Sequence, residues 1–253
     1  MAKISAVVMV YNEEAQIRQC LDTVKWADEI VICDSFSTDG TVAIAREYTD
    51  KIFQRKFDNF GDQKKWTLDK PAHEWVLFVE ADERFSKELG EEIRSRIGSE
   101  ADVDGYRIWF RNHCFGRLMQ GDIWRFKKLK VYRKEKGSWE DRRVHANFIL
   151  RGESRDLVQP LDHYPYPTLG IYLMKLNRST RLEAEELRRR GYRLTLLDFC
   201  KSIAWIPMTF WRSYVTWKGY RDGRQGLLLA FLTAPYNFMV KVKYLTGRPH
   251  AAS

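Results

Sequence analysis

Three short polar clusters each directly follow an apolar run: Tyr11-Asn12-Glu13 after Ile4–Val10, Asp34-Ser35 after Glu29–Cys33, and Glu80-Ala81-Asp82 after Trp75–Val79. Carboxylates gathered at one crevice repel one another unless a cation or a hydrogen-bond donor joins them. The i, i+2 spacing of Glu80 and Asp82 puts both on one side of an extended segment. A Mg2+ or Mn2+ takes one or two carboxylates together with substrate phosphates, and this pair suits that need. Asp34, at a neighbouring run's end, can accept hydrogen bonds from a nucleobase or a ribose. No GxGxxG follows the first run and no Walker-type glycine loop occurs, which argues against dinucleotide and P-loop sites.

The elements that must position these residues can be read from the same stretch. Ile4–Val10 shows no polar alternation beyond Ser5, as expected of a parallel strand covered on both faces. Glu13 and Glu14 open a helix, favoured there by the helix dipole, with Ile17, Cys20, Leu21 and Val24 on one face. Glu29–Cys33 is a second strand, and Ser37, Thr38 and Asp39 offer cap chemistry for a helix running to about Tyr48. A weak strand near Ile52, a short helix over Gln63–Leu68, a strand over Glu74–Val79, a helix over Ser86–Ile97 and a strand over Gly105–Phe110 follow. A further strand is expected near Leu129–Tyr132. This alternation predicts an α/β fold built on a parallel sheet with right-handed crossovers. In such a sheet ligands bind beyond the carboxyl ends of the strands, where the three clusters fall.

With 253 residues, 44% of them hydrophobic, the chain can bury a full core, which excludes a disordered protein. Cys20, Cys33, Cys114 and Cys200 never approach CxxC spacing, so a structural zinc site is excluded and reduced, cytosolic thiols are expected. The first residues read as a strand and not as a signal peptide. The net charge of +9 is unevenly placed: residues 171–253 carry 15 Lys/Arg against 5 Asp/Glu. That third also holds a long amphipathic helix over Gly170–Arg190 and two apolar stretches, Ser202–Trp211 and Gln225–Val240, studded with Trp, Tyr and Phe. Both are shorter than a spanning helix needs. Aromatic rings and basic residues beside short apolar helices are the signature of an anionic membrane surface, and the apolar runs argue against a nucleic-acid partner.

The segments VVMVYNEE, EIVICDSFSTDGT and EWVLFVEADERFS together resemble the inverting glycosyltransferases of family 2, which have the GT-A fold. FGDQKKWTLDK, GYRIWFRNHCFG, RRVHANF and LDHYPYPTLGIYLMKLNRST are similar to the subgroup of lipopolysaccharide-core glucosyltransferases. The resemblance implies a GT-A, Rossmann-like, mostly parallel sheet flanked by helices over residues 1–168, with a C-terminal helical membrane-interface appendage over 169–253. It implies that Tyr11, Asn12 and Glu13 line the nucleotide pocket, that Asp34 holds the base or ribose, and that Gln63 and Lys64 sit near the donor's diphosphate or sugar. Asp82 would bind a Mg2+ or Mn2+, with His145 as a further metal or phosphate contact. The family's DxD stands here as Glu80-Ala81-Asp82, with Glu80 one methylene longer.

An inverting transfer needs a base for the acceptor hydroxyl. The resemblance points to Asp141 for that role, with Glu140 as the runner-up, and His113 and His163 are candidate acceptor contacts. The implied activity is transfer of a hexose from a nucleotide-sugar, UDP-glucose in kind, to a lipid-anchored glycan such as lipopolysaccharide core. The implied location is the cytoplasmic face of the inner membrane, peripheral or monotopic. The departure at Glu80 is the one feature that favours an alternative, a catalytically inactive membrane-face scaffold of glycan assembly with the same fold.

Overall fold

The computed structural model describes residues 2–142 and 146–247. The chain divides into two compact units, Met1–Asn112 with Phe126–Tyr164, and His113–Arg125 with Pro165–Ser253. The second unit thus takes in residues 113–125, from the middle of the chain.

In chain order the elements up to residue 166 are β1 (Ile4–Val10), α1 (Glu14–Asp22), β2 (Glu29–Asp34), α2 (Thr41–Ala45), β3 (Ile52–Gln54), α3 (Phe60–Trp66), β4 (Trp75–Glu80), β5 (Glu83–Arg84), α4 (Lys87–Ser99), β6 (Gly105–Cys114), β7 (Arg117–Leu118), β8 (Lys127–Arg133), β9 (Gly137–Trp139), β10 (Phe148–Leu150), β11 (Ser154–Asp156) and β12 (Leu161–Tyr166). The principal sheet runs β3-β2-β1-β4-β8-β6-β12-β5, with β11 added to β6.

Its first half is parallel, with Val10 opposite Asp34 across β1 and β2 and Met9 opposite Glu80 across β1 and β4. The sheet as a whole is mixed, because β8 runs antiparallel to both β4 and β6. A parallel neighbour requires a crossover, usually helical, and the segment between β6 and β8 carries one short 3-10 turn, Asp122–Trp124.

The continuous apolar run of β1 is explained by two cores. Ile4, Ala6, Val8 and Val10 join the cluster beneath α1 and α4, with Ile17, Leu21, Leu89 and Ile93. Val7, with the opposite pleat, joins Val31, Val76, Phe78, Tyr132, Trp139 and Phe148 on the other face. Ser86 caps α4 by accepting the Leu89 N–H at 3.2 Å.

Two helices differ from the sequence reading in their ends. The α geometry of α2 stops at Ala45, and the chain tightens through i to i−3 bonds at Glu47 and Tyr48. The start of α3 lies earlier, at Phe60, because Asn59 caps it by accepting the Asp62 N–H at 2.9 Å.

The second unit holds α5 (Leu169–Arg189), α6 (Leu196–Trp211), α7 (Gly223–Thr233) and α8 (Tyr236–Thr246). Pro235 breaks the second apolar stretch into α7 and α8. A full capping box, Thr195 with Asp198, opens α6, and Pro207 lies inside it. Cys114, Met119, Tyr172 and Leu229 form a small core. The buried Asp222 carboxylate accepts the backbone N–H groups of Gln120 and Gly121. A Cβ at Gly226 would meet the Gly219 carbonyl at 1.9 Å, so only glycine allows this approach.

Of α6, only Ser202 is buried. Leu196, Leu197, Ile203, Trp205, Met208 and Trp211 are exposed, as are Lys201 and Arg212 beside them. Among the described residues no helix is long and apolar enough to cross a membrane. All four cysteines are free thiols.

Candidate active site

Glu80 ends β4, and the chain turns at once through Ala81 and Asp82 into β5. The two carboxylates are therefore brought together by a tight turn, and the extended segment expected from their spacing is absent. Antiparallel pairing of β12 with β5 sets His163 opposite Glu83. As a result, ligand atoms of Glu80, Asp82 and His163 lie within 4.8 Å of one another.

The imidazole is oriented from behind. Its Nδ1 lies 2.7 Å from Asn112 Oδ1, an oxygen that can only accept, so Nδ1 donates there and the ring turns Nε2 toward the carboxylates. Nε2 faces Asp82 Oδ1 across 3.6 Å, beyond hydrogen-bond reach. Two carboxylates and an imidazole whose far nitrogen is held by a second residue form a donor set that fits Mn2+ or Mg2+.

Two buried lysines set the electrostatics. Lys130 Nζ is 2.6 Å from Glu83 Oε1, with both side chains sealed from solvent, and the other Glu83 oxygen accepts the Glu80 N–H at 3.0 Å. Burial opposes the Lys130 charge, but Glu83 and Glu80 outweigh it and hold the ammonium above its ordinary value. Lys64 Nζ lies 3.5 Å from Glu80 Oε1 and over the Trp139 and Phe78 rings at 4.8 and 5.3 Å. Burial lowers the Lys64 ammonium, partly countered by Glu80. Burial alone would raise the Glu80 carboxyl; Lys64, Lys130 and Lys128 outweigh that and hold it well below the usual carboxylate range.

The remaining candidates line the rims of β1 and β2. Tyr11 is exposed. Asn12 adopts a left-handed backbone, its Oδ1 accepting the Thr38 N–H at 2.8 Å. The Glu13 N–H donates to Thr41 Oγ1 at 2.8 Å. Asp34 is fully buried and accepts from Ser37 N–H and Oγ–H and from Gln54 Nε2. Gln63, buried on α3, donates to Ser35 Oγ at 3.2 Å, and its Oε1 is a buried acceptor without a protein partner.

Asp141 is exposed, with Lys65 Nζ at 3.1 Å, so consecutive lysines of α3 touch Glu80 and Asp141. Glu140 accepts the Asn147 N–H at 3.0 Å across the β9–β10 hairpin. His145 lies outside the described residues. His163, Asn112, Glu83 and Lys130 join the cluster through strand pairing. Of these four, only His163 had a sequence signal, as a candidate acceptor contact in Asp162-His163-Tyr164.

Residues 5–157 match the family model described as Glycosyl transferase family 2. The chain is 27% identical over 248 residues to the lipopolysaccharide core biosynthesis glycosyltransferase LpsC of Rhizobium meliloti, covering 95% of this chain and 91% of that protein. It is 39% identical over 223 residues to an uncharacterized glycosyltransferase of Rickettsia felis, covering 81% of this chain and 77% of the relative. The mannosyltransferase PcManGT of Pyrobaculum calidifontis, solved in complex with GDP-Man and Mn2+, has a similar fold: TM-score 0.56 at 13% identity, over 98% of this chain and 88% of that one.

Proposed function

The chain belongs to glycosyltransferase family 2, and on that footing we propose that it is an inverting, divalent-metal-dependent hexosyltransferase acting from a nucleotide-sugar, UDP-linked in kind, onto a lipid-anchored glycan of the lipopolysaccharide-core class. The observation that carries this reading is the convergence of Glu80, Asp82 and His163 at the end of β4. These three groups would hold a Mg2+ or Mn2+, which would supply positive charge against the negative charge growing on a departing diphosphate. Lys64, buried against Glu80, adds a second positive charge for the same oxygens. Tyr11, Asn12, Glu13 and Asp34 form the nucleotide end of the pocket, and Gln63 directs its unpaired oxygen to the donor. Asp141 takes the proton of the acceptor hydroxyl as that oxygen attacks the anomeric carbon, which inverts the centre. Lys65 Nζ lies 3.1 Å from Asp141 Oδ1 and ties the hairpin to α3. Glu140, engaged with Asn147, holds the hairpin that carries Asp141.

The proposed location is the cytoplasmic face of the inner membrane, as a peripheral or monotopic protein. Support comes from the exposed Trp, Leu and Met side chains of α6 beside Lys201 and Arg212, and from the basic excess of residues 171–253. Similarity to LpsC, a lipopolysaccharide core biosynthesis glycosyltransferase, supports the acceptor class.

The test is calorimetric titration of the protein with UDP, GDP and dTDP, with and without Mn2+. Binding of one nucleotide that depends on the metal is expected. Failure of all three under both conditions would leave the inactive scaffold as the better reading.

A further inference from the structure

Phe36 stands in a conformation that its side chain does not favour. Its φ is +60°, in the left-handed region where a Cβ-bearing residue is uncommon and a bulky one is strained. Asn12, nearby with φ of +53°, compensates through its own side chain, which accepts the Thr38 N–H. Phe36 has no polar group with which to compensate, and glycine would take the same backbone without strain. Packing does not repay the ring either, since it is 53% exposed.

The surrounding loop holds the strain in place. Ser35 N–H donates to the Val10 carbonyl at 3.0 Å, and Asn12 N–H donates to Ser37 Oγ at 2.9 Å. Segments 10–12 and 35–37 are thus tied at both ends, with Tyr11 as the middle residue of one and Phe36 of the other. Ser37 is itself fixed by the buried Asp34 carboxylate. Two exposed aromatic residues therefore stand on tied neighbouring loops beyond the carboxyl ends of adjacent parallel strands.

The order β2-β1-β4 then sets out a row along one rim. Glu80 and Asp82, at the end of β4, are two strands from Phe36, roughly 10 Å at the usual interstrand spacing. That is a span a ribose and a diphosphate can bridge. We propose that Phe36 is a specificity-determining residue of the donor site that stacks on the nucleobase, with Tyr11 on the paired segment. This rests on the reading that the donor is a nucleotide-sugar.

The test compares wild type with Phe36→Gly and Phe36→Trp, using UDP and GDP with Mn2+, inorganic pyrophosphate with Mn2+ as a base-free probe, and thermal unfolding. Stacking predicts about tenfold weaker nucleotide binding in Phe36→Gly, unchanged pyrophosphate binding, and wild-type affinity retained in Phe36→Trp. Relief of the left-handed strain predicts a higher melting temperature for Phe36→Gly. Equal nucleotide affinity in wild type and Phe36→Gly overturns the assignment of Phe36 and leaves the donor reading standing. A lower melting temperature overturns it too, since the ring would then be a packing residue. Absence of nucleotide binding in the wild type overturns the donor reading, and the role of Phe36 with it.

Discussion

Phe78 and Trp211 are both large aromatic residues in apolar stretches, yet Phe78 is 1% exposed in the first unit and Trp211 is 62% exposed in the second. The contrast extends to their neighbours. β1 and β4 bury almost every side chain on both faces, while α6 buries only Ser202. The two regions also differ in their ion pairs: Lys130–Glu83 is sealed inside the first unit, whereas Arg189–Glu186 and Arg181–Glu185 lie along one helix with the arginines half exposed. The same residue types thus serve a core in one unit and an outward surface in the other. Folding accounts for the first use, and the second is what the proposed membrane-facing role rests on.

The comparison can be broken in three ways. The largest effect is expected for Asp82→Asn, which removes the charge of a proposed metal ligand from the first unit without removing volume. Donor turnover should fall by about a hundredfold or more, with a melting temperature close to wild type; unchanged turnover would take Asp82 out of the mechanism.

Next is a matched pair of truncations. Phe78→Ala should cost about 3–5 kcal/mol in denaturant unfolding, whereas Trp211→Ala should stay within about 0.5 kcal/mol and weaken co-sedimentation with vesicles containing anionic lipid. If Trp211→Ala destabilises the fold as Phe78→Ala does, α6 is part of the core and the contrast collapses.

The smallest effect concerns acid. Burial alone would raise the Glu29 carboxyl, but Lys51, Ser5 and the Ala72 N–H outweigh it and hold it below its ordinary value. A depressed folded-state value contributes stability above the unfolded carboxylate range and loses it as pH falls through the folded value. Glu29→Gln should therefore flatten the acid limb of a stability profile.

The sequence made the first half of the sheet legible because burial on both faces demands uninterrupted apolar runs, and Ile4–Val10 and Trp75–Val79 have no other reading. Ser86 announced α4 in the same local way. In the antiparallel half β6 and β8 were legible as strands but their direction was hidden, and β12 escaped altogether, since pairing with strands distant in the chain sets both. For the same reason the third member of the candidate metal cluster escaped: His163 meets Asp82 only because β12 pairs with β5, and nothing near residue 163 records that. Asn59 as the cap of α3 was missed because the apolar pattern there starts later than the helix does.

Asp222 has a consequence for the time course of synthesis. The backbone groups it gathers belong to Gln120 and Gly121, 102 and 101 residues earlier. At about 5–20 residues per second, a ribosome needs roughly 5–20 s to travel from one to the other. For that interval the 113–125 segment has been made and its buried partner has not. A chain stopped short of residue 222 would hold every strand of the sheet and still lack the carboxylate that closes this loop.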